Sequence, residues 1–166
     1  MRYDNPSDPL KWTERRDEVA RIVGFYDIVG LQETLPHQVK DVADRLPWMS
    51  YVGRGRDADG GGESCPLFYN HDKWELLHHE TLWLAVDWKK PGAIGWSADL
   101  PRIVTVAWFH QLDTGRRIRV YNTHWSHVSA VAREASAQLI ASLDAIHKSD
   151  ATVVLGDFNE EAQGAG

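Results

Sequence analysis

Thr152-Val153-Val154-Leu155-Gly156-Asp157-Phe158-Asn159 is a short apolar, β-branched run followed at once by a glycine, a carboxylate and an amide. The run has the composition of a buried strand. Gly156 allows a close backbone approach. Asp157 and Asn159, at i and i+2, point to one side where strand geometry persists. Such a pair can hold a metal ion, a phosphate or an attacking water, or it can close the strand as an Asx-type turn.

The same pattern recurs upstream. Ile28-Val29-Gly30-Leu31 reads as a buried strand and ends in Gln32-Glu33. A carboxylate there must be solvated, paired or bound to a metal. An oxygen ligand suits a hard cation such as Mg2+ or Mn2+. Asn122-Thr123-His124 ends a third strand-like run. His124 there is either a general acid or phosphate donor, or a satisfied half-buried histidine. The loop Gly53-Arg54-Gly55-Arg56 to Gly60-Gly61-Gly62-Glu63 offers turn glycines and arginines that fork onto phosphate oxygens. It is not a Walker loop, because no Gly-Lys-Ser/Thr follows, and it reads equally as a flexible hairpin. His124 and His127 form an H-x-x-H spacing. With a single cysteine and no further ligand nearby, zinc is a minor reading.

Between these motifs, periodicity predicts helices over Thr13–Tyr26, Pro36–Leu46 and Ser129–His147. Their apolar stripes are Val19/Ile22/Val23/Tyr26 in the first and Ala135/Leu139/Leu143/Ile146 in the third. Strand-like segments cover Trp48–Val52, Ser64–Tyr69, Trp74–Val86, Arg102–Gln111 and Arg117–Thr123, with a turn at Asp113-Thr114-Gly115. Helix and strand alternate around a run of hairpin-spaced strands. That order predicts an α/β layered domain with a mixed sheet. Trp83 and Trp108 fall inside strands and read as core; Trp88, Trp96 and Trp125 line either a cleft or a packed loop.

The chain has 166 residues, 18 Lys+Arg against 24 Asp+Glu, and a net charge of -6. With 43% apolar residues it is neither disordered nor collagen-like. No apolar run is long enough to span a bilayer, and Met1–Pro6 carries no signal-peptide stretch. A soluble protein is expected, with cytoplasm and secretion both open. Cys65 is the single cysteine, so no internal disulfide forms. The acidic balance argues against binding nucleic acid by bulk charge, but not against reaching phosphates through a metal.

Taken in order, these motifs resemble the endonuclease/exonuclease/phosphatase superfamily, the DNase I-like metal-dependent phosphoesterases. The resemblance runs from Arg2-Tyr3-Asp4-Asn5-Pro6 through Gly30-Leu31-Gln32-Glu33, Gly53-Arg54-Gly55-Arg56 and Gly62-Glu63. It continues through Pro101-Arg102-Ile103-Val104-Thr105 and Asn122-Thr123-His124 to Gly156-Asp157-Phe158-Asn159. It implies a DNase I-like layered α/β sandwich and a Mg2+-dependent phosphoesterase, with Mn2+ as an alternative ion. By position, Glu33 would bind the metal. Asp157 and Asn159 would align the attacking water, and His124 would donate to the phosphate or leaving group. Glu63 would pair with His124 and raise its pKa. Arg56, Asn122 and Trp125 would face the substrate, and Arg102 takes no firm role.

The sequence also departs from the family. Ser126 stands where an aspartate is usual, and Leu82-Trp83-Leu84-Ala85 lacks the usual proline nearby. The family's first strand would lie upstream of Arg2. Its late Asp-His pair would lie beyond Gly166, seven residues after Asn159. Residues 1–166 are therefore expected to be an incomplete domain, first sheet plus flanking helices, with the second sheet largely missing and a polar tail at 160–166. Such a chain would be weakly active or inactive alone, and its exposed sheet face would favour self-association. The partner is a phosphate ester, with nucleic acid left open. The alternative reading is a non-catalytic interaction module of the same fold.

Overall fold

A computed structural model describes residues 1–146 and 150–161. The elements run α1 (Trp12–Val23), β1 (Ile28–Gly30), α2 (Pro36–Arg45), β2 (Met49–Val52), β3 (Leu67–Asn70), β4 (Trp74–Trp83), β5 (Ile103–Gln111), β6 (Arg117–His124), α3 (Ala130–Ile146) and β7 (Ala151–Asp157). The expected end of the third helix at His147, and the tail from residue 162 onward, lie outside the described residues.

α1 starts where the Glu14 side chain accepts the Lys11 backbone N–H at 2.8 Å, which ties down the turn. α2 begins on Pro36, whose missing N–H costs nothing in a first turn. The stripe of α1 differs from the periodic expectation. Trp12, Ala20 and Val23 are buried; Ile22 is exposed on the helix, and Tyr26 is exposed because the helix ends at Val23. In α3 the buried line is Ala132, Ser136 and Ile140, with Leu139 and Leu143 beside it, and Ile146 is exposed. Ser136 tolerates burial by donating its hydroxyl to the Ala132 carbonyl at 2.6 Å.

The strands divide between two sheets rather than forming one mixed sheet. The first has the order β1-β3-β2 and is antiparallel; the second has the order β4-β5-β6-β7. β4, β5 and β6 form an antiparallel meander, and β7 joins parallel to β6 after the α3 crossover. Val52, Leu67 and Tyr69 of the first sheet pack on Ala107, Phe109 and Val120 of the second, so the inner faces close on each other. α1 and α2 cover the outer face of the first sheet through Trp12, Val23, Val39 and Val42. α3 covers the second through Ile140 against Val104, Val106 and Tyr121. The result is the expected layered α/β sandwich.

This packing corrects the idea of a first sheet left without a partner: strands β5 and β6 supply that partner. Apolar side chains also stay open on β7, where Val153 and Val154 are 44% and 43% exposed. Trp88, Trp96 and Trp125 pack against the Leu82/Leu84 cluster, which is the loop-packing reading.

Candidate metal centre and phosphate cleft

β6 and β7 end side by side, and the parallel register pairs His124 with Asp157. Gly156 makes that pairing close. Its φ is +152°, and a Cβ there would overlap the Thr123 carbonyl. Gly30 has a matching role between the sheets: a Cβ there would strike the Leu155 and Asn122 side chains. The end of β1 therefore lies against β6 and β7. The Gln32 amide donates to Asn122 Oδ1 at 2.6 Å, and Glu33 turns out of the strand with φ +58°. A left-handed φ on a glutamate costs energy that the surrounding contacts must offset, and such strain clusters at functional sites.

Glu33, His124 and Asp157 consequently converge, each offering a ligand atom, with all three atoms within 4.8 Å of one another. The two carboxylates suit a hard divalent cation such as Mg2+ or Mn2+, and the imidazole adds a softer donor. Glu33 takes only a weak N–H from Tyr3 at 3.3 Å. One Asp157 oxygen accepts the Asn159 N–H at 3.0 Å, which leaves the other available. Burial, and after it the Arg102 charge, push the His124 pKa below its ordinary value, so the ring is held neutral and its lone pair stays available.

Beside this cluster opens a cavity of about 360 Å³, lined among others by Tyr3, Glu33, Arg56, Arg102, His124 and Asn159. Asn159 sits in the left-handed region at φ +49°, its amide donating to the Trp125 carbonyl at 2.9 Å. Arg56 and Glu63 form part of the wall as a two-contact ion pair, at 3.0 and 3.3 Å.

Several expected roles change here. Glu63 is held by Arg56, not by His124, and the shift at His124 is downward rather than upward. Arg56 takes Glu63 as its ion-pair partner, and burial first, then the Arg102 charge, lower the His124 pKa. Asn122 is fully buried and ties the sheets together, donating to the Leu31 and Pro66 carbonyls at 2.9 and 2.8 Å and accepting from Gln32. Its amide is therefore occupied by the fold rather than facing substrate. Trp125 stacks edge-on to Phe158 at 4.7 Å and packs under the loop, so it supports the site from below. His127 does not join His124 on a metal. Its Nδ1 meets Arg102 Nη2 at 2.9 Å and its Nε2 lies 3.9 Å from Asp99.

The residue to which the sequence assigned no firm role is Arg102. It is 4% exposed, yet it lines the cavity next to Glu33 and His124. The available signal was a lone arginine opening the apolar run Ile103-Val104, directly after Pro101. Burial, followed by repulsion from Arg56, pushes its pKa down.

With this geometry in hand, the class is plain. The sequence pattern of the Endonuclease/Exonuclease/phosphatase family matches residues 2–165, and the chain belongs to that family. Among solved structures it is similar to an endonuclease/exonuclease/phosphatase from Bacteroides vulgatus, with 42% identity, TM-score 0.91, 96% of this chain and 63% of that one covered. It is similar to a family protein from Bacteroides thetaiotaomicron, with 32% identity, TM-score 0.93, and 99% and 63% covered. It is also similar to a mannosyl-6-phosphatase of Bacteroides thetaiotaomicron VPI-5482, with 32% identity, TM-score 0.93, and 99% and 65% covered. The chain thus spans under two thirds of the length of these relatives. No curated protein matches it. Among the described residues no helix is long and apolar enough to cross a membrane.

Proposed function

We propose that the protein hydrolyses phosphate esters with the help of a divalent cation, Mg2+ or Mn2+, held by Glu33, His124 and Asp157. The observation that carries this reading is the convergence of those three side chains, one from the first sheet and two from the second, at the mouth of an arginine-lined cavity. When bound, the ion supplies charge stabilisation to a phosphoryl oxygen and lowers the pKa of water.

The chain's own residues would do the remaining work. Asn159, fixed by Asp157 and Trp125, orients a polar group of the substrate or the attacking water. Arg56, kept in place by Glu63, contributes positive potential to the cavity wall. Tyr3 flanks Glu33 and helps to close the cleft. Fixed donors and charges of this kind act where negative charge develops in the transition state.

The substrate we favour is a small phosphate ester rather than a nucleic acid. The net charge of -6 disfavours binding a polyanion by bulk charge. The mannosyl-6-phosphatase at 32% identity supports a phosphomonoester. The test is hydrolysis of a panel of phosphomonoesters and diesters with Mg2+ or Mn2+, for this chain and for the Bacteroides vulgatus relative. Metal-dependent release of phosphate from a monoester, reduced by about 100-fold or more in Glu33→Gln, is the expected result. Phosphate binding with no turnover in either protein would favour the non-catalytic module instead.

A further inference from the structure

Arg102 poses a problem of donors without acceptors. Its side chain is 5% exposed. Among the described residues, Nη2 alone of its three nitrogens has a hydrogen-bond partner, His127 Nδ1 at 2.9 Å; Nε and Nη1 are buried with none. Asp99 is too far for a hydrogen bond, at 3.9 Å. A buried guanidinium with two unmet donors is costly unless something completes it. Among the described residues Arg119 also keeps Nε and Nη2 buried without partners, but it lies away from the cleft, stacked on Trp108 and paired with Asp144 of α3, so position is what sets Arg102 apart. Arg102 instead borders both the 360 Å³ cavity and a small pocket beside it, and Glu33, Arg56, Glu63 and His124 line both as well.

The position is also rigid. Pro101 precedes it, Ile103 behind it is 2% exposed, and its carbonyl accepts the Leu84 N–H at 2.7 Å. A guanidinium has no acceptor, so His127 Nδ1 must accept from Nη2. The His127 proton then sits on Nε2, facing Asp99. His127, through this one hydrogen bond, orients the fork while using only one of its nitrogens.

We propose that Arg102 anchors the substrate's phosphate, its unmet guanidinium donors taking the non-bridging oxygens of a phosphate seated in the cleft, with His127 as its positioning residue. This rests on the phosphoesterase reading and names the group that would recognise the anion. Arginine suits the task because its planar donors match phosphate oxygens and its charge persists at any working pH.

Titration with inorganic phosphate in the absence of metal tests this directly, read by calorimetry, with thermal melting as the check on folding. The wild-type chain is expected to bind phosphate saturably. Arg102→Met should weaken that binding by about 10- to 100-fold, and Arg102→Lys should recover part of it. His127→Ala should give a smaller loss. In a form with turnover, Arg102→Met should raise KM for a phosphomonoester more than it lowers kcat. A folded Arg102→Met chain that binds phosphate like wild type overturns the inference. Should Arg102→Met not fold, the wild-type Arg102 Nε–H resonance decides: it moves on phosphate addition if the inference holds and stays fixed if it does not. Arg102-dependent phosphate binding without metal-dependent turnover would sink the enzymatic reading alone. Metal-dependent turnover indifferent to Arg102 would sink the anchor alone.

Discussion

His124 sets the pH behaviour at the scale of single residues. Burial first, then Arg102, hold its pKa below the ordinary histidine value. The unfolded chain takes up a proton at His124 near pH 6.5, about the reference value, and the folded chain only at lower pH. Stability is therefore whole above about pH 6.5 and is lost as the pH falls through the folded value. Melting temperatures measured between pH 7.5 and 5 with a chelator present should fall more steeply for wild type than for His124→Asn; identical slopes would remove His124 as the cause. Cys65 offers a second test. Burial pushes its thiol pKa up to about 12, so iodoacetamide at pH 8 should leave the native protein unmodified and label it only after denaturation. Rapid native labelling would show that the first sheet opens near the cleft. At this scale, much of the site was legible. Glu33, His124 and Asp157 stand out because each charged or polar group directly ends an apolar run. The partner of Glu63 was not legible, since Arg56 and His124 are both plausible from sequence and only the folded distances choose. Arg102 was noticed but given no firm role, because the sequence does not show that its guanidinium is buried with unmet donors.

At the scale of elements, the periodic segments gave strand positions to within a few residues, and the differences have local causes. β3 begins at Leu67 rather than Ser64, because Ser64 makes only isolated bridges to Thr34 and Gly55. β7 extends to Asp157, because Gly156 keeps the parallel register with Thr123 where another residue would clash. The division of the strands into two sheets was not legible: local alternation says which face is buried, not which strand lies alongside. Gly156 is the element-level weak point. Gly156→Ala adds both a clash and an unfavourable φ, and should cost about 2–5 kcal/mol of stability. It should also move Asp157 away from His124. Denaturant unfolding checks the first effect and Mn2+ affinity the second. A variant as stable as wild type would show that β7 can shift without loss.

The whole molecule is a sandwich whose metal-type donors come from both sheets, so the site exists only when the sheets are docked. Its open flank is β7, an edge strand among the described residues with exposed Val153 and Val154. Unprotected apolar edges pair with other chains. The chain should therefore associate in a concentration-dependent way in sedimentation. Val153→Lys should shift it toward monomer, whereas a wild-type chain monomeric at high concentration would show the edge to be benign.

The central claim is that Glu33 from one sheet and Asp157 from the other hold one cation together with His124. Mn2+ binding followed by electron paramagnetic resonance tests it most directly. The expected result is one saturable site per chain, weakened by about tenfold or more in Glu33→Gln and, separately, in Asp157→Asn, with both variants still folded. Saturable Mn2+ binding unchanged by both substitutions, or no saturable binding at all, would contradict it.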